Sequence, residues 1–312
     1  MILSVIIPNL NGIQYLSVCL NALMKQTLKE YEVFVVDNAS KDESCTFIQN
    51  EYRNVNLIKL RKNLGFAGAC NAGIRSSKGD IVVLLNNDTE VTPNWLEKIL
   101  EAFENNPEVG IVASRMMLFD RRDIFHAAGD LFRSDGMAAN RGVWEKDVGQ
   151  YMEDYVFSAC GGAAGYRRSM LDEVGLLDES FFFSLEDIDM AWRSQLKGWK
   201  TLYVPSAVVY HHLSATGGGS VASYFDGRNS IYVLVKDVPN VVWRIFWRSI
   251  LWRQILLACQ SLMSWKGNEA RARLRGQIVG ILTIPRVLLK RKYIQSNCKV
   301  SSDYIRSILT EI

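Results

Sequence analysis

The stretch Ile81-Val-Val-Leu-Leu-Asn-Asn-Asp-Thr-Glu-Val91 decides how this 312-residue chain is read. Five aliphatic residues in a row, bounded by Lys78-Gly79-Asp80 and Asn86-Asn87-Asp88, predict a strand buried on both faces and therefore inside a parallel sheet. Its polar end then faces a crevice, because ligands of open α/β sheets collect beyond the carboxyl ends of the strands. A carboxylate fixed there can hold a hard cation through oxygen, which makes Asp88 a candidate metal ligand. A turn rich in Asn and Asp for backbone reasons alone is the competing reading.

Outward from this strand the pattern repeats. Leu3 to Ile7 is a short aliphatic strand stopped by Pro8-Asn9-Leu10-Asn11-Gly12, and Leu16, Leu20 and Leu23 form a helical stripe after it. Tyr31 to Val36 predicts the next strand, closed by Asp37-Asn38-Ala39-Ser40. Lys41 to Glu51 reads as a helix, Val55 to Leu60 as a strand and Gly65 to Ile74 as a helix. The small residues of that last helix, Gly68, Ala69, Ala72 and Gly73, would let it lie close to a backbone or a phosphate. With a further helix from near Pro93 the order is β-α-β-α-β-α-β, which implies a parallel sheet with right-handed crossovers. Asp37 and Asp88 thus end two strands at one edge. Asp37 either accepts from a nucleoside or closes an Asx-turn or helix cap. No GxGxxG or GxxxxGK[ST] occurs, so phosphates would have to be met by a metal.

Beyond Asp88, Val109 to Leu118 is another strand, and residues 120 to 154 read as loops and short hairpins over the active face. Gly161-Gly162-Ala163-Ala164, within a strand from Phe157 to Tyr166, either admits a substrate to the backbone or packs tightly. Phe181-Phe-Phe-Ser-Leu-Glu-Asp-Ile-Asp189 leads into a helix that opens with acids. Asp189 should pair with Arg193 four residues on, and Asp187 lies about 200° round the helix from Asp189. Glu186 or Asp187, at the helix start, is therefore the better placed for chemistry. Trp199 to Pro205 and Ala207 to His212 read as two strands, on which His211 and His212 face opposite sides. Thr216 to Ser220 reads as a flexible loop able to close over a substrate.

Composition sets bounds. With 48% hydrophobic and 22% charged residues the chain can bury a full core. Its net charge of +3 hides an asymmetry: residues 1–239 hold 23 Lys and Arg against 30 Asp and Glu, whereas residues 240–312 hold 13 against 3. Six scattered cysteines with no CxxC pair suggest reduced thiols and a cytoplasmic protein. The amino terminus shows no basic n-region for a signal peptide, and no run approaches the ~20 apolar residues of a membrane span. Two domains are expected, a catalytic one at 1–239 and a basic helical one at 240–312. In the second, Trp243, Trp247, Trp252 and Trp265 alternate with Arg244, Arg248 and Arg253. Leu274, Ile278, Ile281, Pro285 and Leu288 form a stripe there with a kink at Pro285. Such a mixture suits an anionic membrane surface, while a helical subdomain or a homo-oligomer contact is the alternative. No nucleic-acid recognition motif is present.

Together, Val5-Ile-Ile-Pro-Asn-Leu-Asn-Gly12, Val35-Val-Asp-Asn-Ala-Ser40, Asn63-Leu-Gly-Phe-Ala-Gly-Ala-Cys-Asn-Ala-Gly-Ile74, Leu84-Leu-Asn-Asn-Asp-Thr-Glu90 and Glu186-Asp-Ile-Asp189 resemble the family 2 glycosyltransferases of GT-A fold, in particular their bacterial rhamnosyltransferase-like branch. The resemblance implies an α/β fold, Rossmann-like and mostly parallel, with the helical region appended. It also implies inverting transfer of a sugar such as rhamnose from a UDP- or dTDP-sugar to a saccharide or lipid-linked saccharide acceptor, during synthesis of surface polysaccharide at the inner face of the membrane. By the resemblance Pro8, Asn9, Asn11 and Asp37 line the nucleoside pocket, Asn63, Gly68 and Asn71 approach ribose and diphosphate, and Asn86 and Asn87 sit beside the donor. Gly161, Gly162 and Glu186 would meet the acceptor, Asp187 would be the catalytic base, and Asp88 with His211 would hold Mg2+ or Mn2+. Asn86 stands where the family's metal motif has its first acid, and one carboxylate fewer weakens divalent binding. A nucleotidyltransferase on sugar phosphates and a catalytically silent scaffold are the alternatives.

Overall fold

The structure, a computed structural model, describes residues 1–212 and 218–312. Its first half runs β1 (Leu3–Asn9), α1 (Ile13–Met24), β2 (Tyr31–Asp37), α2 (Ser44–Glu51), β3 (Asn56–Lys59), α3 (Gly65–Ser76), β4 (Ile81–Leu85), β5 (Thr89–Val91), α4 (Trp95–Asn105) and β6 (Val109–Leu118). Then come β7 (Phe125–Ala128), β8 (Asp130–Phe132), β9 (Ala138–Asn140), β10 (Asp154–Val156), β11 (Ala163–Arg167), α5 (Arg168–Val174), α6 (Glu186–Lys197) and β12 (Lys200–His211). Five helices complete the order: α7 (Gly219–Lys236), α8 (Asn240–Met263), α9 (Asn268–Leu282), α10 (Ile284–Ser296) and α11 (Ser302–Ser307).

Strand alternation divides the core between two faces of one sheet. Leu3, Val5, Ile7, Val83 and Leu85 point to the side covered by Leu16 and Leu20 of α1 and by Trp95, Ile99 and Phe103 of α4. Ile6, Val36, Val82 and Leu84 point to the other, against Ala67, Cys70 and Ile74 of α3 and Met170 of α5. All five residues of β4 are buried, as expected of a strand covered on both faces.

The sheet order is β10-β12-β6-β11-β4-β1-β2-β3. β1 runs parallel to β2 and β4, with Asn9 opposite Asp37, so the polar ends of these strands share one edge. The expected parallel sheet is interrupted by β11, which lies antiparallel between β4 and β6. This reversal brings the start of β11, not its end, to the polar edge: Ala163 is opposite Leu85, and Gly161-Gly162 fall beside Asn86. The two strands expected between Trp199 and His212 form one, β12, with a register shift between Val204 and Val208. Pro205, which has no N–H to give to a ladder, sits inside that irregularity.

The basic tail is mainly helical, and its inner side is continuous with the body. Phe132, Phe157 and Trp192 share a core with Val233, Leu234, Val242, Ile250, Ile294 and Leu309. Pro285 lies in the first turn of α10 and so opens a new helix, where its missing N–H costs nothing, instead of kinking an old one. Among the described residues no helix is long and apolar enough to cross a membrane.

Candidate active site

The polar strand ends build a cleft from short amide-rich turns. Asn87 donates to Asn9 Oδ1 at 2.7 Å, and Asn9 reaches Asp37 Oδ1 and Ser40 Oγ, each at 3.3 Å. Gly12 makes this possible, because a Cβ there would stand 2.0 Å from Asn87 Nδ2. Asn38, which the sequence reading passed over, braces the far wall: its amide donates to Asn63 Oδ1 at 2.9 Å and its oxygen accepts from the Leu64 N–H at 2.8 Å. The result is a cavity of about 310 Å3 lined by Pro8, Asn9, Asn63, Asn86 and Asn87 together with Phe66, Phe182 and Phe183. A lining that mixes amides with aromatic rings suits a flat heterocycle carrying hydrogen-bonding groups.

Not every expected residue reaches that cavity. Asp37 is buried beneath it and acts through Asn9 and the Ser40 N–H. Asn11, in a left-handed turn with φ 52°, spends its side chain on the Lys41 N–H. Gly68 sits against Leu64, and Gly73 lets α3 approach Ile6 of β1, so Gly73 serves the packing of α3 on the sheet. Asn71 is directed away: it donates to Leu177 O at 2.8 Å and accepts from the Leu177 N–H, clamping the segment before α6.

At the edge shared by β4 and β12, Asp88 Oδ1 lies 3.2 Å from His211 Nε2, and the Asn86 amide is 3.5 Å from that same nitrogen. His211 Nδ1 is 3.1 Å from Nδ1 of His126, a residue on β7 that no spacing in the sequence ties to this site. Burial and the adjacent His211 push His126 down to about 3, so it stays neutral and orients the second imidazole. His212 turns the opposite way, against Phe119 and Tyr15. Among the described residues no group of three or more His, Cys, Asp or Glu is gathered as a complete metal cage. One carboxylate and one imidazole fit a cation whose remaining ligands come from a substrate's phosphates.

A second cavity, of about 460 Å3, adjoins the first; both are lined by Phe66, Asn86, Phe183 and Ala222. Its acids are Asp130, Glu186, Asp187 and Asp226. Asp187 Oδ2 accepts from the Gly161 N–H at 2.9 Å and its other oxygen from the Ile188 N–H at 2.8 Å, so the carboxylate is aimed by backbone. Burial raises its pKa, and these two hydrogen bonds restrain the rise. Burial and then the charge of Asp187 push Glu186 up to about 8. Asp130, missed in the sequence because it lies in an irregular stretch, is likewise pushed well up by burial and by Asp187. Asp189 points elsewhere, as its helical phase requires: Arg193 Nη2 meets it at 2.8 Å and Lys236 binds its other oxygen.

Backbone strain marks the approach to α6. Phe182, Ser184 and Leu185 all have positive φ, between 64° and 68°. Each costs about 1–3 kcal/mol unless its surroundings enforce it. Asn229 of α7, fully buried, enforces them by donating to the carbonyls of Phe181, Phe183 and Ser184 at 3.1, 2.9 and 2.7 Å. Of the loop expected to close over the site, Thr216 and Gly217 lie outside the described residues, and Gly219 and Ser220 form the first turn of α7.

Comparison with known proteins identifies the family and the fold. The chain is 27% identical over 249 residues to the N-acetylglucosaminyl-diphospho-decaprenol L-rhamnosyltransferase of Mycobacterium tuberculosis, covering 72% of this chain and 81% of that one. It is 29% identical over 233 residues to an uncharacterized protein of Sinorhizobium fredii, 70% of this chain but only 25% of that longer relative. Among solved structures, GalNAc-T7 with UDP, GalNAc and Mn2+ superposes with a TM-score of 0.70 at 16% identity, over 98% of this chain and 56% of that one. At that identity the likeness speaks for the fold alone, which is GT-A. The model of the family described as "Glycosyl transferase family 2" matches residues 4–175, more than half of the chain, and this protein is therefore a glycosyltransferase belonging to that family.

Proposed function

We propose that the protein is an inverting transferase that moves a sugar, rhamnose or a similar deoxyhexose, from UDP or dTDP to a saccharide on a lipid carrier in surface-polysaccharide synthesis. The observation that carries the proposal is the junction of two cavities at Asn86, one walled by amides and aromatics and the other holding a backbone-aimed carboxylate, Asp187. The nucleoside would lie between Asn9 and Phe66, and the acceptor between Gly161 and Glu186.

A sugar crossing from the first cavity to the second exchanges its bond to the diphosphate oxygen for a bond to the acceptor oxygen. The acceptor hydroxyl is a poor nucleophile at its own pKa, so Asp187 takes its proton as the new bond forms, an effect worth ~10²–10⁴ in rate. One base and a single in-line displacement invert the anomeric centre. Glu186, held protonated at neutral pH, can donate a hydrogen bond to the acceptor without repelling Asp187. Asp88 and His211 would hold Mg2+ or Mn2+ against the diphosphate. Such a cation, when bound, stabilises the negative charge of the departing group.

The outer faces of the tail support a membrane-surface location on the inner leaflet. Trp252 is 62% exposed and Leu289 78%, and they are joined by Trp247, Leu251, Ile255, Ile278 and Ile281 beside the exposed Arg244 and Arg248. An apolar, tryptophan-rich surface edged by cations suits an anionic headgroup layer.

Titration calorimetry with UDP and dTDP, with and without Mn2+, followed by a donor-sugar panel, tests the reading. Binding of one nucleotide, strengthened by Mn2+, and inverted product are expected; failure to bind either nucleotide would end it.

A further inference from the structure

His126 enters the site through an irregularity in its strand. On β7, Phe125 pairs with Met117 and Ala127 with Met116, so His126 is an extra residue with no partner of its own on β6, which is a β-bulge. Phe125 and Ala128 accordingly pack into the same face of the core, which strict alternation would forbid. The bulge sets the His126 ring against His211 of β12, with the two Nδ1 atoms 3.1 Å apart and the ring centres 4.8 Å apart. His126 also lines the acid cavity, together with Asn86, Gly162 and Asp187. Its Nδ1 is committed to His211, which leaves Nε2 as the ring nitrogen for a ligand.

Two touching imidazoles cannot choose their tautomers independently. Each neutral ring carries one proton, and between the two Nδ1 atoms one must donate and the other accept. With no cation bound, His211 keeps its proton on Nε2, which stands 3.2 Å from Oδ1 of Asp88. Its Nδ1 then accepts, the His126 proton lies on Nδ1, and Nε2 of His126 is an acceptor. When His211 gives its Nε2 lone pair to a cation, its proton can reside only on Nδ1, which donates to Nδ1 of His126. The His126 proton is thereby held on Nε2. The free side of His126 has changed from acceptor to donor.

We propose that His126 reads the sugar in transfer: with a cation on Asp88 and His211, its Nε2 donates a hydrogen bond to a hydroxyl of that sugar, and without the cation it has no proton there to give. The proposal rests on the reading of Asp88 and His211 as the cation site. Position selects the ligand group. The phosphates are met by the cation, and the heterocycle occupies the first cavity, whose lining among the described residues does not include His126. What remains of the donor is its sugar, which crosses at Asn86 into the cavity that His126 does line. A neutral N–H suits an uncharged hydroxyl oxygen.

The chain has three histidines, so long-range 1H–15N correlation can follow each imidazole, with His126→Asn and His212→Gln assigning the signals. Spectra are taken at about pH 8, above the ordinary histidine range. Zn2+ with UDP or dTDP is the probe, since it accepts carboxylate oxygen and imidazole nitrogen and, unlike Mn2+, is diamagnetic. His126 should carry its proton on Nδ1 in the free protein and on Nε2 once cation and nucleotide are bound. A His211 that responds to Zn2+ while His126 keeps its tautomer would overturn the relay and leave the cation site standing; a His211 that does not respond would remove the cation reading itself. Calorimetry at saturating Mn2+ then tests the sugar contact. His126→Asn retains an acceptor near the position of Nδ1 and nothing at that of Nε2. It should bind UDP or dTDP nearly as the parent does, and lose about tenfold in the affinity of the rhamnose ester relative to the same nucleotide. An unchanged ratio, or an equal loss for nucleotide and ester, would reduce His126 to a support for His211 and overturn the proposal.

Discussion

Asp187 and Glu186 are neighbours in one cavity, and the proposed function gives them opposite tasks. Asp187 must be ionised to accept a proton, so rate should fall as pH drops through its raised pKa; an acid limb at an ordinary aspartate value would show that burial does not tune it. Glu186 favours its neutral form in the folded protein. Its folded pKa lies above the unfolded value, so the stability it contributes is complete below about 4.5 and is lost as pH rises toward about 8. Glu186→Gln removes this dependence, and its Tm relative to the parent should climb across that interval; a constant difference would mean Glu186 is not held protonated. At the donor side, Gly12→Ala would drive a methyl into Asn87, break the Asn87–Asn9 hydrogen bond and lower nucleotide affinity by about tenfold. Equal affinity in calorimetry would mean the cleft relaxes around the added carbon.

Among the elements, α7 has the most varied duties. Its first turns line both cavities through Val221 and Ala222, its middle holds the strained loop through Asn229, and its last turn carries Lys236 into a buried cluster with Asp178 and Asp189. Asn229→Asp would set an acceptor against three carbonyls and release the loop that presents Asp187. A fall in kcat of roughly 10- to 100-fold is expected at a temperature where the variant is fully folded, since misplacement of about 1 Å costs that much. An unchanged kcat would show that the loop holds itself. Much of the element order was legible from sequence, because buried strands such as Ile81–Leu85 are continuous apolar runs and α1 carries a clean helical stripe. The direction of β11 was not, since Gly-Gly-Ala-Ala has no pattern that distinguishes a strand entering the sheet from one leaving it. Asn229 and His126 were equally hidden. Their decisive partners lie about 45 and 85 positions away, and a lone amide or imidazole gives no local signal.

Over the whole molecule, positive charge and exposed apolar surface are both concentrated in α8 to α10, while the inner sides of α8 and α10 complete a core with α6 and α7. Anionic liposomes should carry the protein in flotation, less so at high salt, and neutral liposomes should carry less; no recovery with either at any salt would remove the membrane reading. The candidate site is assembled across the chain: strand ends near residues 9, 37 and 88 meet at the proposed donor side, and the start of α6 brings Asp187, the proposed base. Short motifs in the sequence drew attention to these acids, whereas the cavity walled by β8, α7 and α9 exists only once those elements fold together. Most directly, the account stands on Asp187→Asn, measured by single-turnover transfer and by nucleotide titration on one preparation. It predicts transfer reduced by ~10²–10⁴ with nucleotide affinity nearly unchanged; a variant that keeps most of its turnover, or loses nucleotide binding along with it, would contradict the assignment of the base.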